Sequence, residues 1–98
     1  MSLKDKIILH LGKYSGYTWD FPYALCQTGI AEELGTVRTN IARVLYTMQS
    51  ENLLEVEQNH VIGLKRKRLT YMLSEKGREI FKGLYYGTNE NDKDDAGE

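Results

Sequence analysis

The chain is 98 residues long, 41% hydrophobic and 28% charged, with seven Tyr and a formal net charge of −1. That is one domain's worth of chain, enough for a single modest core, and no apolar run approaches the roughly 20 residues of a membrane span, so a soluble, cytoplasmic protein with no membrane partner is expected. Cys26 is alone, and one Cys with two distant His (His10 and His60) falls short of any zinc-ligand spacing, so neither a metal nor a cofactor is expected.

The charge is spread unevenly. From Gly87 onward five acids (Glu90, Asp92, Asp94, Asp95 and Glu98) meet one base, Lys93, for a net of −4, while the preceding residues hold 12 bases and 9 acids for a net of +3. This divides the chain into a folded unit over 1–86 and an acidic tail over 87–98 that is expected to be disordered.

In chain order, Ser2 is placed to cap a helix running to about Tyr14, with Asp5 in its first turn and an apolar stripe of Leu3, Ile7, Ile8 and Leu11. His10 stands at the edge of that stripe and reads as a boundary residue. Tyr17-Thr18-Trp19-Asp20-Phe21-Pro22-Tyr23 holds the only proline and is expected to be an extended connector with aromatics that plug the core, including a short strand that pairs with a later hairpin. A helix then begins near Cys26 or Gln27 and ends at Gly35, with Cys26 as a small buried thiol at the capping position. A second helix, over about 37–51, carries Ile41, Val44, Leu45 and Met48 on its apolar face and stops at Asn52.

The two helices joined by a Gly turn form a helix-turn-helix, whose second member is the one presented to a partner. Opposite its apolar stripe lie Arg38, Thr39, Asn40 and Arg43, the chemistries that meet phosphate oxygens and base edges. Tyr46 and Thr47, further along, are expected to pack against the wing or the first helix. Two alternating segments follow, Leu54 to Val61 and Leu69 to Leu73, and the loop 62–68 between them carries Gly63 and four consecutive bases, Lys65, Arg66, Lys67 and Arg68. Four adjacent cations repel one another and gain little without an anionic partner, which makes this loop a basic wing suited to phosphates. His60 beside it reads as an exposed strand residue. Ser74 caps a last helix whose apolar face is Ile80, Phe81, Leu84 and Tyr85.

This order resembles the winged-helix domains of MarR-like and related archaeal and bacterial regulators. Gln27-Thr28-Gly29-Ile30-Ala31-Glu32-Glu33-Leu34-Gly35 is similar to the family's first helix-turn-helix segment, Arg38-Thr39-Asn40-Ile41-Ala42-Arg43-Val44-Leu45 to its recognition helix, and Tyr71-Met72-Leu73-Ser74-Glu75-Lys76-Gly77 to the join between wing and last helix. Cys26 and Val37 depart from the pattern, where the family usually caps with Ser or Thr. The resemblance implies a mainly α, α+β fold: a three-helix core, a wing sheet of two to three strands and a C-terminal helix. It also implies sequence-specific binding of double-stranded DNA by a transcriptional regulator, commonly a homodimer.

The apolar faces of the first and last helices exceed what so small a domain can bury, so Leu3, Ile7, Leu11, Phe81, Leu84 and Tyr85 are the expected dimer interface. No nucleophile, base and orienting group recur together, so an enzyme is not expected. Any small-molecule effector is unknown, and the aromatics of Trp19 to Tyr23 are the only candidates to meet one. The alternative function is a winged-helix module that docks on an acidic protein partner.

Overall fold

The computed structural model describes residues 1–17 and 20–97, with side chains as far as 87. Four helices and one antiparallel hairpin follow in the order α1 (Leu3–Leu11), a 3-10 turn (Tyr23–Leu25), α2 (Gln27–Leu34), α3 (Arg38–Ser50), β1 (Leu54–Asn59), β2 (Arg68–Leu73) and α4 (Glu75–Gly97). The architecture is α+β and mainly helical.

Each boundary has a local cause. Ser2 Oγ accepts from Asp5 N at 3.1 Å and caps α1. Gly35, at φ 64°, closes α2: its N–H donates to Glu32 O at 3.3 Å, and Thr36 N donates to Ala31 O at 3.0 Å. Asn52, at φ 63°, closes α3 in the same way, with its own N–H on Gln49 O at 3.0 Å and Leu53 N on Met48 O at 3.0 Å. This pair of bonds satisfies carbonyls that the helix end leaves open, and Asn is the non-glycine residue best suited to it.

The core is built where the three apolar stripes meet. Ile7, Ile8 and Leu11 of α1, Ile30 of α2, and Ile41, Leu45 and Met48 of α3 are buried together with Leu25, Leu53, Val61, Tyr71 and Leu73. Each large aliphatic buried this way contributes about 1.5–3 kcal/mol. His10 joins them at 2% exposure, not at the boundary its sequence position suggests. The 3-10 turn folds over it, and its Nε2 lies 2.8 Å from Ala24 O.

β1 and β2 pair from Leu54↔Leu73 to Asn59↔Arg68, so Arg68 belongs to the strand and not to the loop. The aromatic connector adds a single-residue parallel bridge, Phe21↔Val61: Phe21 N donates to His60 O and Ile62 N to Phe21 O, both at 2.9 Å. A second bridge joins Cys26 to Thr70. Phe21 is buried as a plug, Tyr17 is half exposed, and Trp19 lies outside the described residues.

At the other end of the hairpin three elements meet. Ser74 N donates to Leu53 O at 2.9 Å and Ser74 Oγ to Asn52 O at 2.7 Å, while the same Oγ caps α4 by accepting from Gly77 N at 3.1 Å. Lys76 Nζ adds a bond to Glu51 O at 3.2 Å. The helix α4 continues in its backbone to Gly97; the role of 87–98 as a separate acidic tail concerns side chains outside the described residues.

Candidate nucleic-acid interface

α2 and α3 meet through a three-residue turn, and their packing decides which side of α3 faces out. With Ile41, Leu45 and Met48 turned into the core, a helix advancing about 100° per residue places Thr39, Arg43, Tyr46 and Ser50 along the opposite face. All four are exposed. Asn40 is exposed too, but stands about a quarter turn to the side of Thr39. Tyr46 is 76% exposed and packs on neither the wing nor α1, contrary to its sequence expectation. The apolar face of α3 is complete without it, so no core position remains for a ring at that angle. Thr47 Oγ1 and Ser50 Oγ donate back to carbonyls of their own helix, Arg43 O at 3.3 Å and Thr47 O at 2.7 Å, which leaves their oxygens free only as acceptors.

The hairpin loop is a tight structure at its start. Leu64 N donates to Val61 O at 3.0 Å, and Gly63 sits at φ 88°, the left-handed conformation needed at the third position of such a turn. Val61 is wholly buried under Phe21, so the loop is pinned on one side while Lys65, Arg66 and Lys67 project into solvent. Neither these three nor Arg43 and Arg68 form an ion pair with a described residue. His60 is exposed and its Nδ1 lies 2.9 Å from Asp20 Oδ1.

The helix starts and the hairpin enclose one cleft of about 450 Å³, lined by Gln27, Thr28, Arg38, Gln58, Lys67 and Arg68 among others. Three cations from two distant parts of the chain converge there, and no acid among the described residues lines it. Arg38 is held in place: its Nε donates to Gln27 Oε1 at 3.2 Å, and Gln27 Nε2 donates to the Tyr71 hydroxyl at 2.8 Å. Cys26 caps α2 by backbone conformation alone, buried at 3% exposure with its Sγ donating to Tyr23 O at 3.2 Å.

The backbone as a whole matches a solved structure. The backbone is similar to that of a mutant of Lactococcus lactis ZitR in apo form, with a TM-score of 0.64 and 17% identity over 96% of this chain and 64% of that chain. The fold is a winged helix. At this identity the likeness is one of fold alone, and the chain spans just under two thirds of the length of that neighbour. No family model matches the sequence, and no curated protein matches it.

The residues expected at a dimer interface divide in two. Ile7 and Leu11 are fully buried in the chain's own core, because α2, α3, α4 and β2 all pack on α1, and they offer nothing to a partner. Leu3, Phe81 and Leu84 are half-buried, whereas Tyr85 is exposed beside Tyr86, with its ring stacked on Phe81 at 5.6 Å. Among the described residues no helix is long and apolar enough to cross a membrane.

Residues for which the sequence suggested no interface role are Gln27, Tyr46 and Tyr71. An exposed tyrosine on the outward face of α3 leaves no mark in periodicity, and a hydrogen-bonded chain across 44 residues leaves none either. Tyr23 also acquires a partner: its hydroxyl donates to Glu32 Oε2 at 2.7 Å. That bond, lost on ionisation, is the main reason the phenol is pushed up to about 12, with burial and the carboxylate's charge adding to it.

Proposed function

We propose that this chain is a sequence-specific double-stranded DNA-binding regulator, with α3 in the major groove and the basic wing on the phosphate backbone. The observation that carries this reading is the convergence of Arg38, Lys67 and Arg68 on one cleft, lined by no acid among the described residues, beside the exposed stripe of α3. Like charges brought together at a folded surface repel one another, and an anionic partner relieves that repulsion. In this reading Thr39, Asn40, Arg43 and Tyr46 meet base edges, while Arg38, Lys65, Arg66, Lys67 and Arg68 meet phosphates. An Arg bidentate to guanine is worth roughly 1–3 kcal/mol of discrimination, and the Tyr46 ring offers apolar contact to a thymine methyl. The protein acts as a homodimer through Leu3, Phe81, Leu84 and Tyr85, with recognition helices about 34 Å apart, one turn of DNA.

A protein-docking reading draws on a separate observation. Ile62 and Leu69 flank the basic loop at 59% and 45% exposure, and phosphates have no use for apolar neighbours. Binding to random-sequence duplex DNA across a salt series, with solution mass measured alongside, separates the two. Affinity that is tight at low salt and falls steeply, from a dimer, supports the regulator. Absence of binding at low salt refutes it and favours an acidic protein partner.

A further inference from the structure

Tyr71, Gln27 and Arg38 form one hydrogen-bonded chain that runs from the wing strand, through the start of α2, to the first residue of the recognition helix. Its direction is fixed by chemistry. Arg can only donate, so the amide atom facing Nε must be the oxygen of Gln27, and the NH₂ must face the Tyr71 hydroxyl, which accepts. Tyr71 is 3% exposed, with its ring locked in the core, so one end of the chain is immobile. The other end is an exposed arginine, a side chain that alone would sample many rotamers. With Nε occupied, the four N–H bonds of its two Nη groups have no partner among the described residues, and no described acid lines the cleft they share with Lys67 and Arg68.

We infer that Gln27, locked by Tyr71, is a positioning residue that holds the Arg38 guanidinium in the cleft for a DNA backbone phosphate. This rests on the DNA-binding reading and deepens it: the wing strand and the recognition helix are set relative to the phosphate by the same buried hydroxyl. Arg68 opens β2, Lys67 immediately precedes it and Tyr71 lies in its middle, so the same strand that anchors the Arg38 chain also carries the other two cations to the cleft.

The test is a double-mutant cycle with Gln27→Ala and Arg38→Ala, read as affinity for random-sequence duplex DNA and as its salt dependence, with thermal unfolding followed in parallel. Gln27→Ala is expected to weaken binding roughly two- to tenfold, the size of one hydrogen-bonded contact. It should lower the log–log salt slope toward the loss of about 0.9 that one phosphate contact carries. In the Arg38→Ala background it should do nothing further to binding, since its effect passes through Arg38. Tyr71→Phe, which keeps the ring and removes only the hydroxyl, should reproduce the Gln27→Ala loss. A Gln27→Ala effect that persists undiminished without Arg38, an unchanged salt slope, or a Tyr71→Phe variant that binds as wild type overturns the inference while leaving DNA binding intact. A wild-type protein that binds no DNA at low salt overturns the reading beneath it as well.

Discussion

Gly29 lies inside α2, where glycine is ordinarily a weakness, and replacing it with alanine should nevertheless damage the fold. A Cβ built there falls 1.8 Å from Tyr23 O and 2.6 Å from the Tyr23 carbonyl carbon. Ordinary contact begins at 3.4 Å, so α2 and the 3-10 turn must separate by roughly 1.6 Å. Overpacking of this kind costs about 1–3 kcal/mol. The displaced carbonyl also accepts from Cys26 N at 3.1 Å, and losing that bond adds about 1 kcal/mol. Against this stands a helix-propensity gain of about 1 kcal/mol for Gly→Ala. The net is a loss of about 1–3 kcal/mol, which for a domain of this size lowers Tm by roughly 5–20 °C. Gly83 in α4 is the matched control: nothing lies within 4 Å of its Cβ position, so Gly83→Ala should gain the propensity term alone and raise Tm by a few degrees. Thermal and urea unfolding followed by far-UV circular dichroism decide the matter. Equal stabilisation by both substitutions would refute the packing described for α2.

Three further expectations follow from particular contacts. Ser74→Ala removes the α4 cap and the bond to Asn52 O, and should cost about 1–2 kcal/mol in urea unfolding, whereas Ser74→Asp should recover part of the cap. Tyr23 should ionise near 12 in an ultraviolet pH titration, and Glu32→Gln should bring it down. Because its folded-state value is raised, the stability it contributes is fully present below pH 10 and is lost as pH rises through 12. Arg66→Ala should weaken binding to all duplex sequences alike and reduce the salt slope by about one, while Arg43→Ala should relax sequence preference; the reverse pattern in parallel binding titrations would exchange the roles given to wing and helix.

What the sequence discloses here is what short-range physics controls. Ser2, Gly35, Asn52 and Ser74 mark helix ends because each satisfies backbone groups within a few residues of itself. The apolar stripes of α2 and α3 identify their buried faces for the same reason. Burial of His10 depends instead on Ala24 arriving from another part of the chain, and Ile7 and Leu11 are consumed by their own core only because four elements close over them. At the interface, the wing cations were visible as a run of like charge. Tyr46 was not, since a tyrosine at helical spacing near apolar residues looks the same whether it plugs a core or faces solvent. The Gln27 chain required knowing which strand lies beside which helix start.

The junction around Ser74 bears on how such a molecule can move. The last carbonyls of α3, the root of the hairpin and the first turn of α4 are bolted together through Ser74, Leu53 and Lys76, while Phe21 and Cys26 clamp the hairpin's far side. A torque applied to α4 is therefore delivered to the end of α3 and the base of the hairpin at once. Both anchorages of the hairpin are hydrogen-bonded to neighbouring elements, a connection that favours α3 and the hairpin turning together. A displacement of α4 would then be expected to re-aim α3 and the hairpin as a pair rather than to part them.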